Sequence, residues 1–182
     1  MKGIVFNVLE EVVRREHGED VWDELLTAGH VDGAYTALGN YPDAELMALV
    51  RAASDKLAVP PDGVVRWFGR AAIPIFYEKY PILFNGHETT LSFLLTLNDI
   101  IHPEVRKLYP GADVPDFEFE TPAPDRLLLH YASERKLCAF AEGLIHGAAD
   151  HYGEDVHIEQ PRCMLRGDDE CVLSLTFGPR GG

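Results

Sequence analysis

Residues 126–151 read RLLLHYASERKLCAFAEGLIHGAADH, and the pattern of the chain changes at this stretch. Its second part, 136–151, has the length and apolar spacing of a helix. Three strands are predicted, at 126–132, 155–162 and 171–177. The run Arg166–Asp169 between the last two is typical of a hairpin turn. A strand, a helix and a hairpin after a helical segment predict an α+β fold with a mainly antiparallel sheet.

The first two-thirds of the chain is predominantly helical, because apolar residues recur at helical spacing between Pro and Gly breakers. Helices are predicted at 3–17, 20–27, 43–57, 62–80 and 89–109. Pro74 predicts a kink in the fourth of them, and the Pro-rich stretch 110–124 predicts an extended, irregular path. We expect one domain, 1–182, with a helical N-terminal lobe (1–60) and a second lobe (61–182) that contains the sheet.

Composition excludes several classes of partner. Thirty acidic residues against sixteen basic ones give a net charge of -14, which repels nucleic acid and anionic membranes. The N-terminus lacks the pattern of a secretory signal, and no window approaches the roughly 18 to 20 apolar residues of a membrane span. Three cysteines do not form a disulfide framework and suit a reducing compartment. We therefore expect a cytoplasmic protein.

His102 is the first candidate for chemistry. Leu91, Leu95, Asn98 and His102 are spaced by four, three and four residues, so the histidine lies on the buried stripe of the predicted helix. A buried neutral imidazole bonded to a backbone carbonyl is the simplest interpretation of that spacing. Pro103 restrains the backbone of His102 and predicts that the imidazole is presented from a distorted turn.

A second candidate is the alternating set Tyr131, Ser133 and Arg135, which shares one face of an extended segment. An Arg fork and two hydroxyls favour recognition of an anion such as a carboxylate. The same alternation is also typical of the solvated face of a strand.

These elements together resemble the H-NOX family of haem nitric oxide/oxygen binding domains, and the resemblance covers nearly the whole chain. The motifs occur in the family's order and at its separations. They are M-K-G at 1–3, H-G-E-D at 17–20, F-G at 68–69, I-H-P-E-V-R-K-L-Y-P-G-A at 101–112, Pro115, Y-A-S-E-R at 131–135 and G-L-I-H-G at 143–147. The chain is identified as a member of the stand-alone bacterial type.

The resemblance implies a b-type haem held between the two lobes. It makes His102 the proximal iron ligand, and it assigns Tyr131, Ser133 and Arg135 to the haem propionates. Pro115 is implied to press on the porphyrin. A neutral imidazole from a helix suits ferrous iron, so the interpretation of His102 from its spacing agrees with this role.

The resemblance also implies which gas binds. Family members that bind oxygen place a tyrosine, a tryptophan and an asparagine on the distal side, where Phe140, Leu9 and Ala72 stand here. Val5 and Leu144 complete an apolar distal pocket. Bound oxygen needs a hydrogen-bond donor and a ferrous nitrosyl does not. We expect nitric oxide and carbon monoxide to bind, and oxygen to be excluded.

Signalling is expected to pass to a separate protein. Nitric oxide weakens the iron bond to the trans histidine, so release or movement of His102 would let its helix and the N-terminal lobe move. The sequence ends soon after its last predicted strand, without an output domain. The resemblance implies a histidine kinase or a cyclic-di-GMP enzyme as partner.

The cysteines pose a separate question. Cys138, Cys163 and Cys171 are predicted to meet near the hairpin, and some H-NOX relatives bind structural zinc there with a histidine three residues before the second cysteine. That position is Gln160 here, so His157 is the expected fourth ligand. The alternative is a redox-active or simply buried cysteine cluster.

Two further classes of function can be compared with the sequence, a haem-free module and an enzyme. The Gly167 to Cys171 pattern also resembles the vinyl-reductase-like family, whose haem-free modules bind small molecules or zinc and would not need His102 together with the Tyr131 set. An enzyme is not expected, because the sequence contains no HExxH, P-loop, G-x-S-x-G or paired CxxC motif.

Overall fold

The computed structural model describes residues 1–180, so residues 181 and 182 of the expected domain lie outside it. Four helices come first: α1 (Gly3–His17), α2 (Glu19–Gly29), α3 (Asp43–Leu57) and α4 (Pro61–Lys79). A 3-10 turn (Pro81–Leu83), α5 (Thr90–Leu94), a π-helical turn (Leu97–Ile101) and α6 (His102–Leu108) follow. The remaining elements are β1 (Phe117–Ala123), β2 (Arg126–Tyr131), α7 (Cys138–Tyr152), β3 (Glu154–Arg162), a 3-10 turn (Met164–Arg166) and β4 (Cys171–Pro179).

The four strands form one antiparallel sheet in the order β1-β2-β4-β3. The register pairs Phe117 with Tyr131 between β1 and β2, and Tyr131 with Cys171 between β2 and β4. Helix α7 follows β2 and packs on β3, which confirms the α+β fold and the mainly antiparallel sheet.

Apolar side chains gather in two clusters. The first joins α1, α2, α3 and the inner face of α4, with Phe6, Trp22 and Leu49 almost fully buried. The second joins the sheet to α5, α7 and the π-helical turn, with Leu127 and Leu173 at its centre. Because the partly buried Phe76 and Leu144 belong to both clusters, α4 and α7 form the boundary between them.

The predicted helix at 89–109 is wrong as a continuous element. It divides into α5, the π-helical turn and α6, because Thr96 and Leu97 accept hydrogen bonds from residues five positions later. The predicted irregular path at 110–124 is wrong in its second half, since β1 occupies Phe117–Ala123. The Phe-Glu-Phe-Glu alternation at 117–120 is the sequence signal of this strand.

The turn between β3 and β4 is longer than the predicted hairpin turn at Arg166–Asp169. A 3-10 turn fills its first part, and Gly167 then adopts a φ of 100°, a region that favours glycine. The Asp168 carboxylate accepts a hydrogen bond of 2.7 Å from the amide of Cys163.

Pro74 lies inside α4 without ending it. Within residues 1–180, none of the helices has the length and apolar character needed to cross a membrane.

Candidate functional site

His102 is the first residue of α6 and follows the π-helical turn directly. Its backbone is helical, with φ of -65° and ψ of -40°, so the expectation that Pro103 pushes His102 out of the helical region is wrong, whereas the expected distorted turn is present directly before His102. Pro103 has no N–H to donate, and its ring would clash with the carbonyl four residues back in a regular α-helix. The wider π-helical turn accommodates this proline.

The imidazole of His102 is buried and neutral. The residue is 9% exposed, and burial followed by the nearby Arg106 guanidinium lowers its pKa to about 4, against the opposing effects of Asp116 and the Pro115 carbonyl. Its Nδ1 atom is buried and lacks a hydrogen-bond partner of good geometry. A buried nitrogen without a partner is rare in proteins, so this ring is a good candidate for binding a further group.

An aromatic row connects His102 with the sheet. The His102 ring lies 5.6 Å from the ring of Phe117, and Phe117 lies 5.9 Å from the ring of Tyr131. Pro115 is half-buried two residues before Phe117. Phe117 was not singled out in the sequence because its strand was not predicted. The candidate proximal ligand, His102, and one candidate propionate ligand, Tyr131, therefore both lie next to Phe117.

Tyr131, Ser133 and Arg135 alternate as predicted, but β2 ends at Tyr131 and the other two residues lie in the turn that follows. The buried Tyr131 hydroxyl accepts a hydrogen bond of 3.0 Å from the Leu137 amide. The Ser133 hydroxyl accepts one of 3.3 Å from the Arg135 amide. Both hydroxyl oxygens therefore accept hydrogen bonds within the turn. Burial raises the pKa of Tyr131, and a hydrogen bond from the Ser133 hydroxyl lowers it to a smaller extent, so Tyr131 keeps its own proton to donate.

The Arg135 guanidinium binds two carboxylates. Its Nε donates to Asp43 Oδ2 at 2.7 Å, and its Nη1 lies 3.0 Å from Asp113 Oδ2. The other Asp43 oxygen is 2.6 Å from the amino group of Met1, so this network joins the N-terminal lobe to the turn after β2. It borders a cavity of about 420 Å³, whose lining includes Arg135 but not His102, Tyr131 or Ser133. The cavity is lined by Met1, Asp43, Leu46, Met47, Asp113, Glu134, Arg135 and Leu137.

The five residues expected on the distal side all belong to the first cluster or pack against it. Leu9 and Ala72 are buried, whereas Val5, Phe140 and Leu144 are half-buried. They come from α1, α4 and α7, and the Phe140 ring lies 5.1 Å from the ring of Phe68. The structure therefore gathers five side chains without a polar hydrogen.

The three cysteines meet as predicted. Their Sγ atoms lie within 4.8 Å of one another, with Cys138 and Cys163 3.9 Å apart. Burial raises the pKa of Cys138 and raises that of Cys171 to about 12. The pKa of Cys163 is lowered, because hydrogen bonds from the Leu165 and Arg166 amides and from the other thiols outweigh its burial.

The expectation that His157 completes this cluster is wrong. Its side chain is 73% exposed and lies 3.5 Å from Glu159, on the outer face of β3. Successive strand residues point to opposite faces, so Gln160 rather than His157 faces inward. Burial raises the pKa of Cys138, and the nearby Gln160 side chain lowers it to a smaller extent, although the buried Gln160 Nε2 has no hydrogen-bond partner of good geometry.

The chain matches known proteins over nearly its full length. The family model described as Haem-NO-binding matches residues 2–160. A crystal structure of an H-NOX protein from S. oneidensis in the Fe(II)NO ligation state is 33% identical, with a TM-score of 0.91 and coverage of 98% of this chain and 99% of that one. The NMR structure of the Shewanella oneidensis domain in the Fe(II)CO state has the same identity and coverage and a TM-score of 0.89.

A more distant relative has the same fold. The crystal structure of the Fe(II) unliganded H-NOX protein from K. algicida is 25% identical, with a TM-score of 0.87, and the match covers 99% of this chain and 98% of that one. A family match over most of the chain, together with these structures, means that the chain belongs to the haem-NO-binding (H-NOX) family of gas-sensor domains.

Proposed function

We propose that this chain binds haem b through His102 and senses nitric oxide, and also binds carbon monoxide, without forming a stable complex with oxygen. The observation that carries the proposal is the pairing of a buried, neutral imidazole, whose Nδ1 lacks a hydrogen-bond partner of good geometry, with five proposed distal side chains that have no polar hydrogen. Haem, when bound, supplies a ferrous iron that takes one protein ligand and one gas ligand.

The residues present fit such a group. A neutral imidazole can donate a lone pair to iron, and the pKa of His102 keeps the ring neutral at pH 7. Arg135 already binds two carboxylates at the rim of the cavity. Asp43 and Asp113 thus occupy positions on the guanidinium that two propionates would take. The Tyr131 hydroxyl, which accepts from Ser133, can add a donor. Pro115 precedes the aromatic row and would pack against the porphyrin.

The distal side is proposed to select against oxygen because its five side chains carry no donor, and the donors of three residues that pack against the same cluster are engaged elsewhere. Trp67 packs against the same cluster, but its Nε1 donates to Glu16 at 2.9 Å. The Tyr35 and Tyr41 hydroxyls donate to Glu45 and to the Ala34 carbonyl. Val5, Leu9, Ala72, Phe140 and Leu144 offer no replacement. Oxygen would therefore lack the hydrogen bond on which its stable binding depends.

The test is spectroscopic. The reduced, haem-loaded protein should give new Soret and visible bands with nitric oxide and with carbon monoxide, and keep its unliganded spectrum in air until it oxidises. A stable oxygenated spectrum would contradict the proposed selectivity. Protein that stays colourless when haem is supplied would contradict the whole proposal and favour the haem-free module.

Arg135 can be tested separately from iron ligation. R135Q should release haem to an excess of apomyoglobin faster than the unsubstituted protein, because the propionates lose a charged partner. R162Q is the matched control, since Arg162 forms its ion pair with Glu170 on the exposed side of the sheet. Equal rates for all three proteins would remove Arg135 from the proposed site.

Release of His102 is proposed to carry the signal to a separate histidine kinase or cyclic-di-GMP enzyme. The Met1–Asp43–Arg135 network supports this route, because it joins the N-terminal lobe to the proposed propionate site. H102G loaded with haem and free imidazole should uncouple the helix from the iron. If the partner's activity still followed nitric oxide in this variant, the route through His102 would be wrong.

The cysteine cluster supports a second proposal, a zinc site, on the strength of three sulfur atoms within 4.8 Å. Structural zinc takes four ligands. With His157 excluded, the Gln160 amide oxygen or a water would have to be the fourth. Metal analysis of protein purified without chelators should find about one zinc per chain. Metal-free protein would leave the redox-active or simply buried thiol cluster.

A further inference from the structure

The Asn98 side chain pairs with the backbone of Phe117. Its Nδ2 donates to the Phe117 carbonyl at 2.5 Å, and its Oδ1 accepts from the Phe117 amide at 3.1 Å. One side-chain amide thus satisfies both backbone groups of a residue on β1, an edge strand of the sheet. Neither the proposed iron ligation nor gas selection accounts for this contact.

Asn98 lies in the π-helical turn, which leads directly to His102. The amide of Ile101 reaches back to the Thr96 carbonyl at 3.0 Å, and that of His102 reaches back to Leu97. Pro103 removes the next backbone donor. Because the regular pattern of backbone hydrogen bonds changes at this turn, a side-chain anchor can influence where His102 lies.

The anchor acts on the residue that His102 contacts. Phe117 packs its ring 5.6 Å from the imidazole at an interplanar angle of 35°, and it pairs with Tyr131 in the sheet. The two Asn98 hydrogen bonds thereby fix the distance between the π-helical turn and β1, the strand that lies beside the imidazole. Asn98 and His102 belong to one continuous segment, and both contact Phe117. The three residues therefore hold one another in place.

We propose that Asn98 is a positioning residue for the proximal histidine: by clamping Phe117 it fixes the orientation in which His102 meets the haem iron. This inference rests on the proposed function, in which His102 is the iron ligand. A residue that merely held the fold together would leave the iron–histidine bond unchanged when removed.

The test uses haem-loaded, reduced protein and the variant N98L, which keeps the approximate shape of the side chain but removes both hydrogen bonds. Amide hydrogen exchange at Phe117 should accelerate about tenfold, the effect of losing a tertiary hydrogen bond. The iron–histidine stretching band in the resonance Raman spectrum should broaden and move, because the unclamped ring samples several orientations.

Two controls separate positioning from general loosening. D99A alters an exposed neighbour in the same turn, and Y152F removes a hydrogen bond of 3.0 Å to the Phe84 carbonyl elsewhere in the sheet lobe. Both should keep the band of the unsubstituted protein. N98D should restore protection of the Phe117 amide in part, because its carboxylate still accepts from that amide but cannot donate to the carbonyl.

The outcomes are distinct. Faster exchange at Phe117 with an unchanged band would make Asn98 structural and overturn the inference, while leaving the proposed function intact. Unchanged exchange would also overturn it, as would a band in Y152F that changes as much as in N98L. The lack of any iron–histidine band in the unsubstituted protein would overturn the proposed function and the inference together.

Discussion

Phe140 is half-buried on α7, beside Phe68 of α4, in the cluster proposed to face the gas. Its phenyl ring differs from a tyrosine by one hydroxyl. In an apolar setting a hydroxyl without a partner is costly, but one that meets a negatively charged ligand gains a strong hydrogen bond. The gas selectivity of the chain should therefore depend on this single side chain more than on any other distal residue.

F140Y should strengthen oxygen binding by about fivefold to 150-fold, the equivalent of one hydrogen bond of roughly 1–3 kcal/mol. Oxygen titration of the reduced protein, followed in the Soret band, measures the change. F140L is the control, because it alters volume without adding a donor. If F140Y and F140L bind oxygen equally weakly, distal polarity does not control selectivity.

The candidate site was only partly predictable at the residue level. The spacing of His102 and the alternation of Tyr131, Ser133 and Arg135 are local patterns, so the sequence could indicate burial and a shared face. The partners of Arg135 could not be found in this way, because Asp43 lies 92 positions away in the sequence. The clamp of Asn98 on Phe117 spans 19 positions and depends on a strand that was not predicted.

Among the elements, those with strong helical periodicity were predicted well. Helices α1 and α3 have the predicted bounds, since their apolar stripes and terminal Gly and Pro residues are local signals. Pro103 predicts a distorted turn at His102 but not its place, because the proline acts on the carbonyl of the preceding turn and leaves His102 helical. The exposure of His157 follows from strand register, which is set by pairing with β4.

Helices α4 and α7 touch through their backbones. A Cβ atom added at Gly143 would lie 2.1 Å from the Arg66 carbonyl oxygen, and one added at Gly69 would lie 2.5 Å from that of Phe140. Both helices carry proposed distal residues, so their close approach also sets the width of the distal cluster.

G143A should destabilise the protein by about 1–3 kcal/mol, since the two helices must separate to admit a methyl group. Urea denaturation followed by circular dichroism measures the loss. G178A is the control, because a Cβ at Gly178 would meet no atom within 4 Å. Equal stability of G143A and the unsubstituted protein would show that α4 and α7 can separate without lowering the free energy of unfolding.

Asp150 connects three elements. It accepts hydrogen bonds from Arg70 of α4 at 2.6 and 2.9 Å, and from Arg180, beyond β4, at 2.8 Å. The Arg70 hydrogen bonds, opposed by burial and assisted by the charges of Arg70 and Arg180, lower the pKa of Asp150. A lowered folded-state pKa stabilises the fold above the unfolded value, about 3.9, and this stabilisation is lost as the pH falls through the folded value.

D150N should therefore lower the free energy of unfolding by about 1 kcal/mol at pH 7, a modest figure because both arginines are more than half exposed. The difference from the unsubstituted protein should stay constant from pH 7 to about 5 and shrink below about pH 4. Urea denaturation at several pH values checks this. A difference that persists at pH 2.5 would assign the effect to packing of the amide rather than to charge.

At the scale of the whole molecule, the net charge of -14 opposes folding through repulsion between carboxylates, whereas ion pairs such as Arg15 with Glu78 favour it. Salt screens both effects, but the repulsion acts over longer distances. The Debye length falls from about 30 Å at 0.01 M to about 8 Å at 0.15 M salt. Added salt should therefore weaken the long-range repulsion between carboxylates more than it weakens the attraction within the ion pairs.

The Tm should therefore rise between about 0.01 and 0.15 M NaCl, and circular dichroism melts at fixed pH 7 measure it. The double variant E118Q/D169N removes two exposed carboxylates and changes the net charge from -14 to -12, so its Tm should rise less over the same range. A Tm that falls with salt would mean that ion pairs such as Arg15–Glu78 and Arg70–Asp150 outweigh the repulsion. In that case the arrangement of the acidic residues would be such that their repulsion does not lower the free energy of unfolding overall.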